Sequence, residues 1–238
     1  MRFIALIVLA CLLLAGCGNP DTVIDPGDGG EYSVAVGPAR FVPAIDNPWL
    51  PLRRGSRWTY EGSGDRRRRI EVVVTDETRE IEGITATVVR ETETLDGEVI
   101  EDTFDWYAQD RDGNVWYLGE ATREFRDGEV VSTAGSWEAG VDGALPGIIM
   151  RAGPRVGDAY RQEFYPGQAE DMAEVVRIRA SGTVPFGTFD GLLVTKEWTP
   201  LEPNVVEEKY YAAGVGLVLE QAVRGGSTRA ELISYEPG

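Results

Sequence analysis

The side chains that could do chemistry here are few and dispersed. Asp110, Asp112 and Asn114, in QDRDGNVWY, repeat the first half of a calcium loop, D-x-D-x-N, whose alternate oxygens could grip a hard cation. A full loop also needs glycine at position 6 and a bidentate acid at position 12, where this chain has Val115 and Ala121. That mismatch favours a hairpin turn with Asp112-Gly113 at its tip. Trp58, Trp106, Trp116 and Tyr210 could line an apolar ligand pocket, and residues of this kind also serve as plain core. Carboxylate pairs such as Glu101-Asp102, Glu170-Asp171 and Glu207-Glu208 are inevitable among 40 acids. A glycan hydrolase needs two acids about 5–9 Å apart across a cleft, which position along a chain does not report, so none is nominated.

Absences narrow the chemistry further. The chain has no histidine, which removes Ser-His-Asp and Cys-His sites and His-ligated zinc. Its two cysteines are Cys11, inside an apolar N-terminal run, and Cys17 just after it. No cofactor is expected, and non-catalytic binding is favoured over enzymatic activity. The formal net charge of −17 disfavours nucleic acid, because phosphate binding needs a basic surface. Only two cations are lysines, Lys196 and Lys209. The run Arg66 to Arg69 is the densest basic stretch. Amid so many acids it reads as a solvated, ion-paired turn.

Residues 3–14 form an apolar run of signal-peptide length, too short to span a bilayer comfortably as a helix. The Leu14-Ala15-Gly16-Cys17 that follows resembles the cleavage box of bacterial lipoproteins. The resemblance implies removal of residues 1–16 and a diacylglyceryl group on the Cys17 sulfur. One acyl chain anchors marginally at about 0.8 kcal/mol per buried methylene, and two or more anchor stably. It also implies an extracytoplasmic chain held to a membrane. Gly18 stands where an inner-membrane retention Asp would, pointing to the outer membrane if the host has one. Residues 17–40, rich in Gly, Pro and Asp, read as a lipid-anchored tether with a reach of about 25 Å.

The elements that must position any site are strands. From Arg57 onward, runs rich in Val, Ile, Thr and aromatics alternate with Gly, Asp and Pro punctuation. Asp96-Gly97, Asp112-Gly113, Asp127-Gly128 and Asp190-Gly191 are hairpin signals. Several strands, such as Val115-Trp116-Tyr117-Leu118, are bulky on both faces, so part of the sheet is covered twice. The expected fold is all-β, one domain over residues 41–238. It is a curved antiparallel meander forming a barrel, half-barrel or sandwich, interrupted by a short helical or coil insert at residues 143–154.

DNPWLPL at 46–52, GSRWTYEG at 55–62, DWYAQD at 105–110 and YYAAGVGLV at 210–218 resemble motifs of a group of uncharacterised bacterial exported proteins. That resemblance implies no activity. A looser likeness, of architecture and anchoring, is to exported lipid-carrier lipoproteins of half-barrel form. The expected role is therefore a membrane-anchored binding protein for an apolar ligand or envelope component. A carboxylate-based envelope hydrolase and a surface interaction module are the alternatives.

Overall fold

The computed structural model describes residues 32–64 and 66–238, so the apolar leader, Cys17 and the tether up to residue 31 lie outside the described residues. A 3-10 turn, Pro38–Arg40, precedes β1 (Phe41–Val42). A meander follows: β2 (Arg57–Gly62), β3 (Arg68–Ile81), β4 (Ile84–Leu95), β5 (Glu98–Asp110) and β6 (Val115–Arg126). β7 (Glu129–Ser132) and β8 (Trp137–Glu138) pair only with β6. Then come β9 (Leu145–Met150), β10 (Ala159–Arg161) and β11 (Glu163–Phe164). The last five are β12 (Met172–Val184), β13 (Gly187–Trp198), β14 (Val206–Ala212), β15 (Gly216–Arg224) and β16 (Arg229–Glu236).

The sheet runs β10-β12-β13-β14-β15-β16-β2-β3-β4-β5-β6-β9-β11 with antiparallel neighbours. Its two ends, β10 and β11, are separated along the chain by Gln162 alone. The chain itself therefore joins the two ends, and the curved antiparallel sheet forms a nearly closed barrel.

Two local expectations are corrected. Residues 145–150, read as part of a coil or helical insert, are strand β9 in the barrel wall, between β6 and β11. Gly147 is the close-packing point of the seam: a Cβ there would sit 2.3 Å from the Gln162 carbonyl carbon and oxygen. Asp190-Gly191 is not a hairpin tip either. It lies inside β13, where Gly191 at φ 74 is the extra, unpaired residue between Asp190, opposite Ser181, and Leu192, opposite Ala180. That is the positive-φ freedom a bulge needs. Asp96-Gly97 and Asp127-Gly128 do form tight turns, with positive φ at both residues of each pair.

The double covering is real. Val88, Trp106, Trp116 and Leu118 alternate with interior positions yet are buried. Phe41 packs edge-on against Trp116 at 6.4 Å between ring centroids, and the Arg79 guanidinium lies 4.1 Å from the Trp106 ring centre. The Ala139 N–H donates to the Leu118 carbonyl, tying the segment after β8 over β6. Residues 32–40, placed in the tether by composition, run against this body. Tyr32 is buried, and its hydroxyl donates to the Pro146 carbonyl at 2.8 Å.

One end of the barrel is plugged by the DNPWLPL stretch. Asn47 is 2% exposed and spends its whole amide there. Its Nδ2 donates to the Gly113 and Arg151 carbonyls at 2.9 and 3.1 Å, and its Oδ1 accepts from the Trp49 and Leu50 N–H groups. Gln109 Oε1 accepts from the Asp46 and Asn47 backbone, and Pro48 O accepts from Gly214 N–H. The plug thus fastens three turns of the barrel together and delivers Leu50 and Leu52 to the interior.

Candidate functional site

The interior is not filled with hydrocarbon. Alternation along the strands sends Val89 and Glu91 of β4, Asp105 and Tyr107 of β5, and Lys209 and Tyr211 of β14 to the same side. Register brings them into rows. Asp105 is opposite Val89 on one side and Glu120 on the other, and Lys209 is opposite Glu220 on β15 and Thr195 on β13. Glu197 lies one inward-facing position from Thr195, the diagonal that a long side chain reaches.

Two adjoining cavities lie inside. The first, about 330 Å³, has an apolar part made by Leu50, Leu52, Trp58, Val72 and Leu217, and a polar part made by Glu91, Asp105, Lys209 and Glu220. The second, about 230 Å³, holds Tyr117, Glu120, Gln162, Glu163 and Asp171. Tyr107, Ile149 and Lys209 line both and form the partition. Trp58 is fixed by a 2.7 Å hydrogen bond from Nε1 to the Val215 carbonyl and by stacking on Tyr235, and the Tyr60 hydroxyl donates to the Leu217 carbonyl. The GSRWTYEG and YYAAGVGLV motifs therefore meet in one wall.

Lys209 is the one cation lining either cavity among the described residues. Its Nζ lies 2.9 Å from Glu197 Oε2 and 3.7 Å from Glu220 Oε2. Burial alone would depress the ammonium, but those two carboxylates outweigh it and hold Lys209 protonated, well above its ordinary range. The remaining acids are pushed the other way. Burial first, then the Glu220 charge, raise the Glu91 carboxyl to about 7. Burial, then Glu120 and Glu91, raise Asp105 well above the carboxylate range. Burial, then mutual repulsion with Asp171, do the same to Glu163, whose Oε2 accepts from Trp137 Nε1 at 2.7 Å.

The Tyr117 hydroxyl lies 2.5 Å from Asp105 Oδ1 and 2.7 Å from Glu120 Oε2. It has a single proton to give, so a carboxyl proton must supply the other bond. Asp105 and Glu120 thus share a proton through Tyr117. The phenol occupies the space between them where a hydrolase would need a scissile bond.

The residues singled out from sequence are scattered. Trp58 lines the first cavity. Trp106 lies under Arg79 on the outer face, and Trp116 is core whose Nε1 donates to Asp110. Tyr210 also faces outward, its hydroxyl bonded to Glu208, Arg177 and Gln221. Asp110, Asp112 and Asn114 form the hairpin. Asp110 Oδ1 accepts from the Asp112 and Asn114 N–H groups, and Oδ2 accepts from Asn114 Nδ2 and Trp116 Nε1. Four donors occupy that carboxylate, while Asp112 pairs with Arg40 at 3.0 Å. Among the described residues no group of acids is arranged to hold a metal ion. The basic run borders a larger outer depression of about 640 Å³. There Arg66 pairs with Asp96 at 2.7 Å in the exposed turn, whereas Arg68 already lies in β3 and makes a two-pronged pair with the buried Glu93.

The interior acids and Lys209 were not found from sequence. A signal existed: Lys209, one of only two lysines, is two residues from Tyr211 and so on the same face of β14, the face that lines the cavity.

No family model and no curated protein matches the chain. Two solved structures align with it. One, from Bacteroides fragilis, is provisionally described as an exported protein with a YmcC-like fold; it is 14% identical, with a TM-score of 0.47 over 83% of this chain and all of that one. The other, from Parabacteroides distasonis, is provisionally described as a lipoprotein; it is 12% identical, with a TM-score of 0.43 over 80% of this chain and 99% of that one.

Proposed function

We propose that this chain is an extracytoplasmic binding protein, lipid-anchored at Cys17, whose barrel cavity receives a small molecule with an apolar body. The observation that carries the reading is the 330 Å³ cavity, apolar at Trp58 and Leu217 and polar at Glu91 and Lys209. Apolar walls with a few placed polar groups are the ordinary build of a ligand site. The volume is at the low end of the usual ~300–1,000 Å³, which suits a small molecule and not a whole diacyl lipid. The Leu14-Ala15-Gly16-Cys17 box supports the anchoring. Tyr117, lodged between Asp105 and Glu120, favours binding over hydrolysis.

Native mass spectrometry of the chain released from membranes tests this. Wild type should carry a small adduct that denaturation releases, and Leu217→Trp, which fills the cavity, should lack it. A wild-type protein free of adduct, with a cavity holding only ordered water, would overturn the reading.

A further inference from the structure

We infer that the ligand is a small organic ammonium, its cationic head seated against Glu91 and Asp105 and its apolar body against Trp58 and Leu217. This deepens the binding reading above and rests on it. The argument is charge balance inside a cavity. Lys209 is already matched by Glu197 and Glu220. Among the described residues, neither Glu91 nor Asp105 makes an ion pair, although both line the same cavity as Lys209. Carboxyls without a counter-ion in such a place are costly to ionise, and a cation brought by the ligand removes that cost. An anionic head would meet Glu91 and Asp105, and a neutral one would leave both uncompensated. The elevated Glu91 and Asp105 carboxyls have the character of acids awaiting a cation.

A bare metal ion fits less well, because no described cluster has metal-holding geometry and one side of the cavity is hydrocarbon. A second observation points to a ligand. Gln162 is 3% exposed and lines the adjoining cavity, and its Nε2 has no hydrogen-bond partner. A buried amide donor left unmade costs free energy. A hydroxyl or carbonyl near the ammonium would satisfy it across the partition.

Calorimetry on the full chain in nanodiscs, with empty nanodiscs subtracted, compares three probes of one shape: phenylpropylammonium, phenylpropanol and phenylpropanoate. The ammonium should bind about tenfold or more tighter than the alcohol, a difference of ~1.4 kcal/mol, and the carboxylate should not bind. Glu91→Gln should narrow the gap between ammonium and alcohol, chiefly by weakening the ammonium. Because Glu91→Gln is expected to stabilise the fold, lost binding would not reflect unfolding. Alcohol binding equal to ammonium binding would overturn the ammonium inference and spare the cavity reading. Failure of all three probes would overturn both.

Discussion

Lys209 Nζ lies 2.9 Å from Glu197 Oε2, across two strands inside a barrel that holds no other cation at its cavities among the described residues. The pair is what lets an acidic interior exist. Removing one partner of a buried pair leaves an uncompensated charge, a loss of roughly 3–5 kcal/mol. Lys209→Met should lower the urea midpoint accordingly at neutral pH. A loss below 1 kcal/mol would mean the pair is fully solvated.

The raised acids set a pH dependence. A carboxyl whose folded pKa exceeds its unfolded value binds more protons when folded, so stability falls as pH rises between the two. For Glu91 that window runs from the ordinary carboxylate value of about 4.5 to about 7. Asp105, Glu120 and Glu163 shift in the same direction. Melting temperature should therefore be higher near pH 5 than at pH 8. Glu91→Gln should raise it at pH 8 by the equivalent of roughly 2–3 kcal/mol at most and flatten the slope. A melting temperature that climbs from pH 5 to 8 would contradict this.

Much of the fold is legible in the sequence, and the reasons are local. Asp96-Gly97 and Asp127-Gly128 read correctly because a tight turn demands positive φ at both positions, which few residue pairs tolerate. Gly191 misleads because a bulge makes the same demand inside a strand. The 143–154 stretch misleads because Gly147, needed for close approach at the seam, adds no strand signal of its own. The site is less legible. With Trp106 and Tyr107 both large and on opposite faces, alternation does not say which face is the inside. The acids that matter are separated by register, and register is set by bulges such as the one between Asp105 and Tyr107.

Asn47 is the keystone of the plug. Asn47→Ala deletes four hydrogen bonds made by its side chain, and should cost about 2–3 kcal/mol. Hydrogen exchange should accelerate across residues 46–52 while β3 and β4 amides stay protected. Unchanged exchange in the plug would show that Gln109 and Gly214 hold it without Asn47.

The barrel seam can be wedged. Gly147→Ala drives a methyl into the Gln162 backbone, which cannot swing aside, and should cost roughly 1–3 kcal/mol. Gly153→Ala, with nothing within 4 Å of the added carbon, should leave the melting temperature within a degree or so and serves as the control. Equal effects of the two would remove the close-packing account of β9.

The central claim is that the interior binds. Titration of the full chain in nanodiscs with phenylpropanol, at several temperatures, tests it most directly. Saturable one-to-one binding with a negative heat-capacity change is predicted for wild type, and none for Leu217→Trp. No binding to wild type of either phenylpropanol or phenylpropylammonium, or binding that Leu217→Trp leaves intact, would contradict it.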